Sequence, residues 1–526
     1  MTPYFLYKKK GLLITTVLLG FLLLVPLGSK NPLENFLTVA EAGFFDDELS
    51  LFDEVVDLVG DKYVYTPNYK KMLTASIEEM IKSLDDENIT LKHTSDLQSI
   101  SKYSTKIDYK LDYNREKSIA TFKKVFYFLS EDFKEKLDKQ KLEIAAVTGL
   151  MNSLDPYSQY MDVDSFIRSM RDTEGKYGGL GMVMSIKDNL PYVVKTIKNS
   201  PAQRAGILPG DIFKKIDRLN IEKVQISELA DMIRGQPNTN VIISLYRPSD
   251  KRINSYSLNR EIIAIETVEY QMLENNIGSI KITSFSKQTN NQLKEALLKA
   301  KQDKVQAFIL DLRNNPGGLL DQSVKVASHF LYQNRLVVYT QGRRVTDKID
   351  YRAKYKNSLH SIPVVILINQ NSASAAEIVA GALRDSGKAL IIGENSYGKG
   401  TVQTIFRTSD GSGLRLTTSK YYTPSGVDIT AHGIIPEIHI IKNYAKTNSL
   451  SFPNKSKVTS MKVNDNSLIE LEETQIKNFV KKYYTEMTET SDPTFQFAKI
   501  LIKNVSVANK KKTLEKAREL AANIHY

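Results

Sequence analysis

The sequence has no cysteine, and only six histidines in 526 residues. Without thiols there is no disulfide, no thiolate zinc site and no cysteine nucleophile, and cysteine usage says nothing about redox compartment. The few histidines form no HExxH-type cluster, which argues against a metalloprotease. A strong charge imbalance is also missing. Lys plus Arg number 72 against 60 Asp plus Glu, a formal +12, but the excess is spread thinly and reads as a solvated surface. A nucleic-acid partner would predict a basic stripe or a known binding motif, and neither is present. With 41% hydrophobic and 25% charged residues, the composition is not that of a mainly disordered chain. At about 150 residues per domain, the length suggests three or four domains with ample core.

Near the start, Lys8, Lys9 and Lys10 precede an apolar run from Gly11 to Gly28, the charged-then-apolar order of an export signal. The run is slightly short for a spanning helix, yet within the tolerated range. Ala40-Glu41-Ala42 has the small-x-small form of a cleavage site, but it lies further past the run than a typical signal peptide is cut. Cleaved signal and uncleaved anchor both stay open, and a buried core helix is the alternative to either. For signal or anchor, the positive-inside rule puts the remaining chain outside the cytoplasm. The expectation is an extracytoplasmic, periplasmic protein, soluble after cleavage or anchored by residues 11–28.

Residues 46–84 read as helical, with Leu49, Phe52, Val56, Val59 and Tyr63 at three-to-four spacing. A second helical stretch covers 116–154 and ends at Leu154-Asp155-Pro156-Tyr157-Ser158. Tyr69–Asp86 and Asp138–Pro156 resemble each other, as a duplicated arm or as two amphipathic helices of similar composition. Between them, polar Glu87–Asp112 reads as a loop or weakly ordered connector. From Gly175, glycine turns and short β-type runs (Tyr192–Thr196, Ile242–Tyr246) describe a small, partly open β-barrel. From about 260 to 442, buried-type strands alternate with helices, the α/β pattern: Ala307–Leu312 before a helix from Leu320, and Val364–Ile368 before a helix from Ser374. The remainder has a polar start and helical periodicity after Leu468. The fold class is multidomain α+β, divided as 1–42 signal peptide or membrane anchor, 43–172 helical N-terminal region, 173–258 β-barrel, 259–442 α/β core and 443–526 C-terminal helical extension.

The chemistry sits in the α/β core. Ser374 follows the Val364–Ile368 strand and opens a helix, beside free backbone N–H groups and a helix dipole, which suits a nucleophile whose acyl intermediate carries an oxyanion. Ser374-Ala375-Ala376-Glu377 is equally a capping box, and on this segment alone capping is the better reading. Two further segments shift the balance. Asp311-Leu312-Arg313-Asn314-Asn315-Pro316-Gly317-Gly318 follows another buried strand, and its glycines let N–H groups approach a ligand. Tyr397-Gly398-Lys399-Gly400-Thr401-Val402-Gln403 sets a lysine between glycines, an odd site for a merely solvated charge. A lysine desolvated beside a serine loses its proton more readily and can act as general base. His432 is the nearest histidine and has no obvious acidic partner, so a serine–lysine dyad fits better than a histidine triad.

Together these segments closely resemble the carboxy-terminal processing peptidases, or tail-specific proteases, from about Leu51 to Ile440. That family carries a serine in an S-A-S-A-S-E-like segment and a lysine in F-G-K-G-x-x-Q twenty-five positions later, which is the Ser374–Lys399 separation here. The resemblance implies Ser374 rather than Ser372 as nucleophile, Lys399 as base, Gln403 holding the lysine amine, and the N–H groups of Gly318 and Ala375 as oxyanion donors. Ala376 stands where the family usually has serine, a position that is not the nucleophile. The apparent second helical arm leaves the family's usual dimer contacts in question. Residues 175–258 resemble a PDZ domain, with Gly179, Leu180, Gly181 and Met182 as its carboxylate-binding loop; Arg204 is a weaker candidate to charge that site.

The implied architecture is a helical N-terminal arm, a PDZ-like β-barrel, a crotonase/ClpP-like α/β protease core and a helical C-terminal segment. The implied activity is an exported serine endopeptidase acting on proteins or peptides with free C-termini, with no cofactor and no metal. A homo-oligomer through the helical termini and an activating adaptor are further partner expectations. Two other classes compete. A catalytically silent peptide-binding scaffold is disfavoured by the intact Ser374, Lys399 and Gln403, and a crotonase-like acyl-thioester enzyme by the PDZ-like segment and the export signal.

Overall fold

The computed structural model describes residues 49–94, 97–132, 138–221, 224–356, 359–430, 432–441, 469–483 and 492–504. The expected export segment at 11–28 and the small-x-small site at 40–42 lie outside them. Among the described residues no helix is long and apolar enough to cross a membrane. The chain forms two compact units, one ending at Leu58 and resuming over Asn68–Leu154, the other made of Val59–Pro67 and everything from Asp155 onward.

Two helices, α1 (Ser50–Lys62), whose residues to Leu58 belong to the first unit, and α2 (Tyr69–Ser83), replace the single stretch suggested by periodicity. The break falls before Pro67, which disfavours a helical residue ahead of it, and Asn68 caps α2 by accepting from the Lys71 N–H. Helices α3 (Arg115–Asp132) and α4 (Lys139–Asn152) complete the bundle. Phe52 stacks on Phe122 at 4.2 Å, and Met72, Leu73, Ile77, Val125, Leu142 and Leu150 are buried at helical spacing. Each such side chain contributes roughly 1.5–3 kcal/mol by leaving water. The two look-alike segments, α2 and α4, pack on each other. They approach so closely at Gly149 that a Cβ there would lie 2.3 Å from the Ala75 carbonyl oxygen.

The polar stretch between them is not a loop. It folds as an antiparallel meander of β1 (Ile89–His93), β2 (Gln98–Lys102) and β3 (Thr105–Tyr109). Leu91 pairs with Ile100 and Ile100 with Ile107, so the apolar residues line up as one row across three strands. Each strand alone is too polar to show this, because the row is perpendicular to the sequence.

In the second unit, β4 (Gln159–Met161) and α5 (Val163–Glu174) lead into β5 (Lys176–Gly179). The barrel follows: β6 (Met182–Lys187), β7 (Leu190–Thr196), α6 (Pro201–Arg204), β8 (Ile212–Ile216), β9 (Leu219–Asn220), α7 (Ile226–Ile233), β10 (Asn240–Arg247) and β11 (Arg252–Asn259). Its strand order is β11-β10-β8-β7-β6, which leaves β6 at an edge, while β12 (Glu261–Ala264) returns to pair with β5. Leu180, Val193, Phe213, Leu229, Val241 and Ile243 fill the interior.

The core sheet runs β13 (Val268–Leu273), β14 (Ile277–Ile282), β15 (Ala307–Asp311), then β18 (Val364–Ile368), β19 (Ala389–Gly393), β22 (Ile438–Ile441) and β23 (Ile469–Glu472), parallel from β14 onward. Helices α8 (Thr289–Gln302), α9 (Leu320–Ser328) and α10 (Ala375–Asp385) cover one face, with Ile366 and Ile391 inward. Val365 and Leu390 point to the other face, as strand alternation requires. A parallel sheet needs both faces covered, and here the C-terminal part supplies the second cover. Within 443–526, expected as a helical extension, the described residues add the seventh strand and two helices, α11 (Glu473–Tyr483) and α12 (Pro493–Asn504), whose Phe479, Phe497 and Leu501 are buried against the sheet. A smaller sheet orders β17 (Ile349–Arg352), β16 (Leu336–Gln341), β21 (Gly413–Tyr422) and β20 (Thr401–Arg407), with β4 also on β21.

Candidate active site

The end of β18 and the start of α10 hold the two candidate serines in unlike settings. Ser372 is fully buried; its hydroxyl donates to the Leu312 carbonyl at 2.8 Å and accepts from the Asn369 N–H at 2.9 Å. That hydroxyl fastens the turn to the β15 side. Ser374 is partly exposed and sits at φ 54°, ψ −114°, outside the regions L-residues ordinarily occupy. Such strain persists only where surroundings over-determine it.

Glu377 supplies much of that determination. Its carboxylate is fully buried and accepts from the Ser374 N–H at 2.7 Å, Gly398 N–H at 2.7 Å, Lys399 N–H at 3.0 Å, Ser396 hydroxyl at 2.5 Å and Tyr421 hydroxyl at 3.3 Å. Burial raises its pKa, while the donors oppose that rise. One side chain therefore ties the backbone of the serine turn to the backbone of the lysine turn. In sequence, Glu377 offers only a helix-capping signal; its partners on the lysine segment become visible through folding. The Tyr421 hydroxyl also meets the Lys399 carbonyl, so its one proton is shared between that oxygen and the Glu377 carboxylate.

Lys399 is largely buried, and burial followed by the nearby Arg415 lowers its pKa, with Asp155 and Glu377 pulling the other way. Its Nζ lies 4.9 Å from the centroid of the Tyr157 ring. The Gln403 amide Nε2 donates to Thr401 Oγ1 at 2.9 Å and Thr417 Oγ1 at 3.5 Å, so its described bonds go to threonines. His432 is exposed on the turn that follows Ile429.

The Asn314–Gly318 turn lies against the serine. Asn315 Nδ2 donates to the Ile282 carbonyl, its Oδ1 accepts from Gly317 N–H, and its carbonyl accepts from Ala373 N–H. Gly317 has φ 99°, and a Cβ there would stand 2.7 Å from Ser374 Cβ. The Leu319 N–H goes to the Phe285 carbonyl. The N–H groups of Gly318 and Ala375 are left without an acceptor among the described residues. Asn315 went unremarked in sequence except as part of a turn, because its role depends on β14 and the serine turn being alongside.

The Gly179–Met182 loop of the barrel, expected from sequence to bind a carboxylate, is built differently. Leu180 and Met182 bury their side chains in the barrel core. The Leu180 carbonyl accepts from Ala202 N–H, and the Gly181 carbonyl from Ile197 N–H and the Ser200 hydroxyl. In a trans peptide the N–H points opposite its C=O, so the N–H groups of Gly181 and Met182 face away from the core. Gly181 has φ 76°, and a Cβ there would lie 2.3 Å from Ser200 Cβ. Gly179 ends β5, paired with Glu261 of β12. Arg204 pairs with Glu261 and the Asn199 carbonyl, so its charge is already matched.

A strained serine between a strand and a helix, backbone donors beside it and a desolvated lysine on the adjoining turn define a serine hydrolase. Comparison with known proteins narrows the class. A family model for peptidase family S41 matches residues 276–440, one for a PDZ domain matches 192–247, and one for the activating protease CtpB N-terminal domain matches 87–165. A carboxy-terminal-processing protease of Bartonella bacilliformis is 40% identical over 330 residues, covering 62% of this chain and 75% of that one. A probable CtpA-like serine protease of Staphylococcus aureus (strain COL) is 35% identical over 326 residues, covering 62% and 65%. Among solved structures, the photosystem II D1 C-terminal processing protease aligns over 75% of this chain and 92% of its own at 23% identity, TM-score 0.40. The chain belongs to the carboxy-terminal processing peptidases of family S41, serine proteases with a PDZ domain.

Proposed function

We propose that this chain is an exported endopeptidase that selects protein C-terminal tails through its PDZ domain and cleaves them with a Ser374–Lys399 dyad. The observation that carries the dyad is the Glu377 carboxylate, which accepts from the backbone N–H groups of both residues and so holds their turns together. Neutral Lys399 takes the Ser374 hydroxyl proton as Oγ attacks the scissile carbonyl. The N–H groups of Gly318 and Ala375 stabilise the resulting oxyanion, and the lysine returns the proton to the departing amine. Water then attacks the acyl-enzyme with Lys399 again as base. Gln403 keeps its Oε1 to accept from the lysine amine while its Nε2 stays on the threonines. On the barrel, Gly179–Met182 cradles the terminal carboxylate while the tail adds as a strand to the β6 edge. Export rests on the charged-then-apolar order of Lys8–Gly28.

The test is incubation of the purified protein with an unfolded protein, followed by mass spectrometry of the products. Peptides cut internally by wild type and absent with Ser374→Ala are the expected result. Cleavage by Ser374→Ala at the wild-type rate would end this reading.

A further inference from the structure

The segment Asp155–Ser158 reads in sequence as no more than the end of a helical stretch, yet it lies at the lysine. Asp155 folds it into a tight turn by accepting from the Tyr157 and Ser158 N–H groups at 2.9 and 3.2 Å and from the Ser158 hydroxyl at 2.6 Å. The turn is bolted to β21 at Thr417, whose hydroxyl donates to Asp155 at 3.0 Å and whose N–H donates to the Ser158 hydroxyl at 3.1 Å. The same Thr417 hydroxyl meets the Gln403 amide. The outcome is one aromatic ring, that of Tyr157, presented 4.9 Å from the Lys399 Nζ.

We propose that Tyr157 is a positioning residue for the base: its ring face holds the Lys399 ammonium between turnovers and favours the protonated, resting form. This rests on the dyad reading above. A ring face attracts a cation through its quadrupole and has no such attraction for a neutral amine. It therefore works against the burial that favours the neutral base. The other charged or titratable groups around the lysine come from β21, α10, the lysine's own segment and the Tyr157 turn itself. Arg415 on β21 disfavours the ammonium, and Asp155 on the turn and Glu377 on α10 favour it. Tyr421 on β21 engages the Lys399 carbonyl, and Tyr397, just ahead of the lysine, bonds the Tyr157 phenol. Tyr157 stays a neutral phenol through the working range, its pKa pushed up to about 12, first by burial and then by Tyr397. The ring, rather than a phenolate, is what the amine meets.

The sign follows. Activity rises as pH passes the Lys399 pKa in the free enzyme, so removing a group that favours the ammonium moves the acid limb of kcat/KM to lower pH. The experiment measures kcat/KM against pH for the full chain with Tyr157→Leu, Tyr157→Phe and Tyr157→Trp. Leu is expected to lower the limb by about half to one pH unit, Phe to leave it in place, and Trp to leave it in place or raise it. Titration of reductively methylated Lys399 by NMR in Ser374→Ala, with and without Tyr157→Leu, should give the same displacement without turnover. A Leu profile superimposed on wild type, or a Phe profile displaced as far as Leu, overturns the proposal. Ser374→Ala and Lys399→Ala in the same assay keep the two readings apart: if either remains active the dyad fails, and if both are dead while the limb stays put only the role of Tyr157 fails.

Discussion

Two glycine turns in this molecule are the proposed cradles for negative charge, and they are held in place by different means. In the Gly179–Met182 loop, Gly179 pairs with Glu261 of β12, while the Leu180 and Gly181 carbonyls are taken by neighbours close in sequence, Ile197, Ser200 and Ala202. The Asn314–Gly318 turn is fixed from afar, by Ile282 on β14, by Ala373 across the sheet and by the serine turn it touches. In the proposed function the first would receive a charge that is always present on a peptide end. The second, as the proposed oxyanion donor, would meet a charge that exists only in the transition state, where preorganisation matters most. A modular loop suffices for the former. The latter draws on the assembled core.

The sharpest break in this comparison is at the dyad. Lys399→Ala should reduce proteolysis by roughly four to six orders of magnitude, with Ser374→Ala as low and the double variant scarcely lower, because nucleophile and base act as a unit. Progress curves with a quenched peptide would show it. Ser372→Ala should keep turnover, its loss appearing in thermal stability as a hydrogen bond worth about 1 kcal/mol. Inactivation by Ser372→Ala with an active Ser374→Ala would reverse the assignment of the two serines.

Next comes the tie between the two turns. Glu377→Ala strands several buried donors and should cost about 3 kcal/mol or more in stability, with proteolysis falling by at least about a hundredfold even at temperatures where the fold persists. Glu377→Gln keeps the shape but offers one acceptor oxygen, so it should be intermediate. Equal kcat for Glu377→Gln and wild type would mean the carboxylate serves folding alone.

In the barrel the counterpart is Asp211, buried and held by Arg247 through 2.8 and 2.7 Å bonds, with the Leu208 N–H also donating to it. Arg247→Ala leaves that carboxylate buried without its cation and should destabilise the barrel by about 3–5 kcal/mol. The core should keep its own melting transition, as seen by calorimetry. A single shared transition lowered throughout would show that barrel and core unfold as one body. The smallest effect is expected at the loop itself. In the full-length Ser374→Ala protein, a peptide with a free, apolar C-terminus should bind about ten- to a hundredfold more tightly than its amidated twin, by isothermal titration. Equal affinities would remove tail recognition and leave the dyad untouched.

Sequence legibility followed the range of the interactions. The turn that carries Ser374 could be read directly, since a strand running into a helix is a local pattern, while the choice of Ser374 and Lys399 by their spacing came from the family resemblance. So could the barrel, whose strands alternate within themselves. The β1–β3 meander was hidden because its apolar row crosses strands, and the C-terminal segment because one strand of seven looks like nothing until β22 is beside it.

What the sequence alone determined was therefore the kind of chemistry: which side chains could attack, which could accept a proton, and which glycines could bare their N–H groups. Tertiary structure decided which serine is buried and tied to the neighbouring strand, since only the fold brings the Leu312 carbonyl to Ser372. It decided that Glu377, beyond capping a helix, joins the Ser374 and Lys399 turns, and that Tyr157 stands over the lysine. The physical reason is common to all three. Hydrogen bonds and ring contacts reach only a few ångströms, and residues far apart in the chain come within that distance only when strands from separate segments share a sheet.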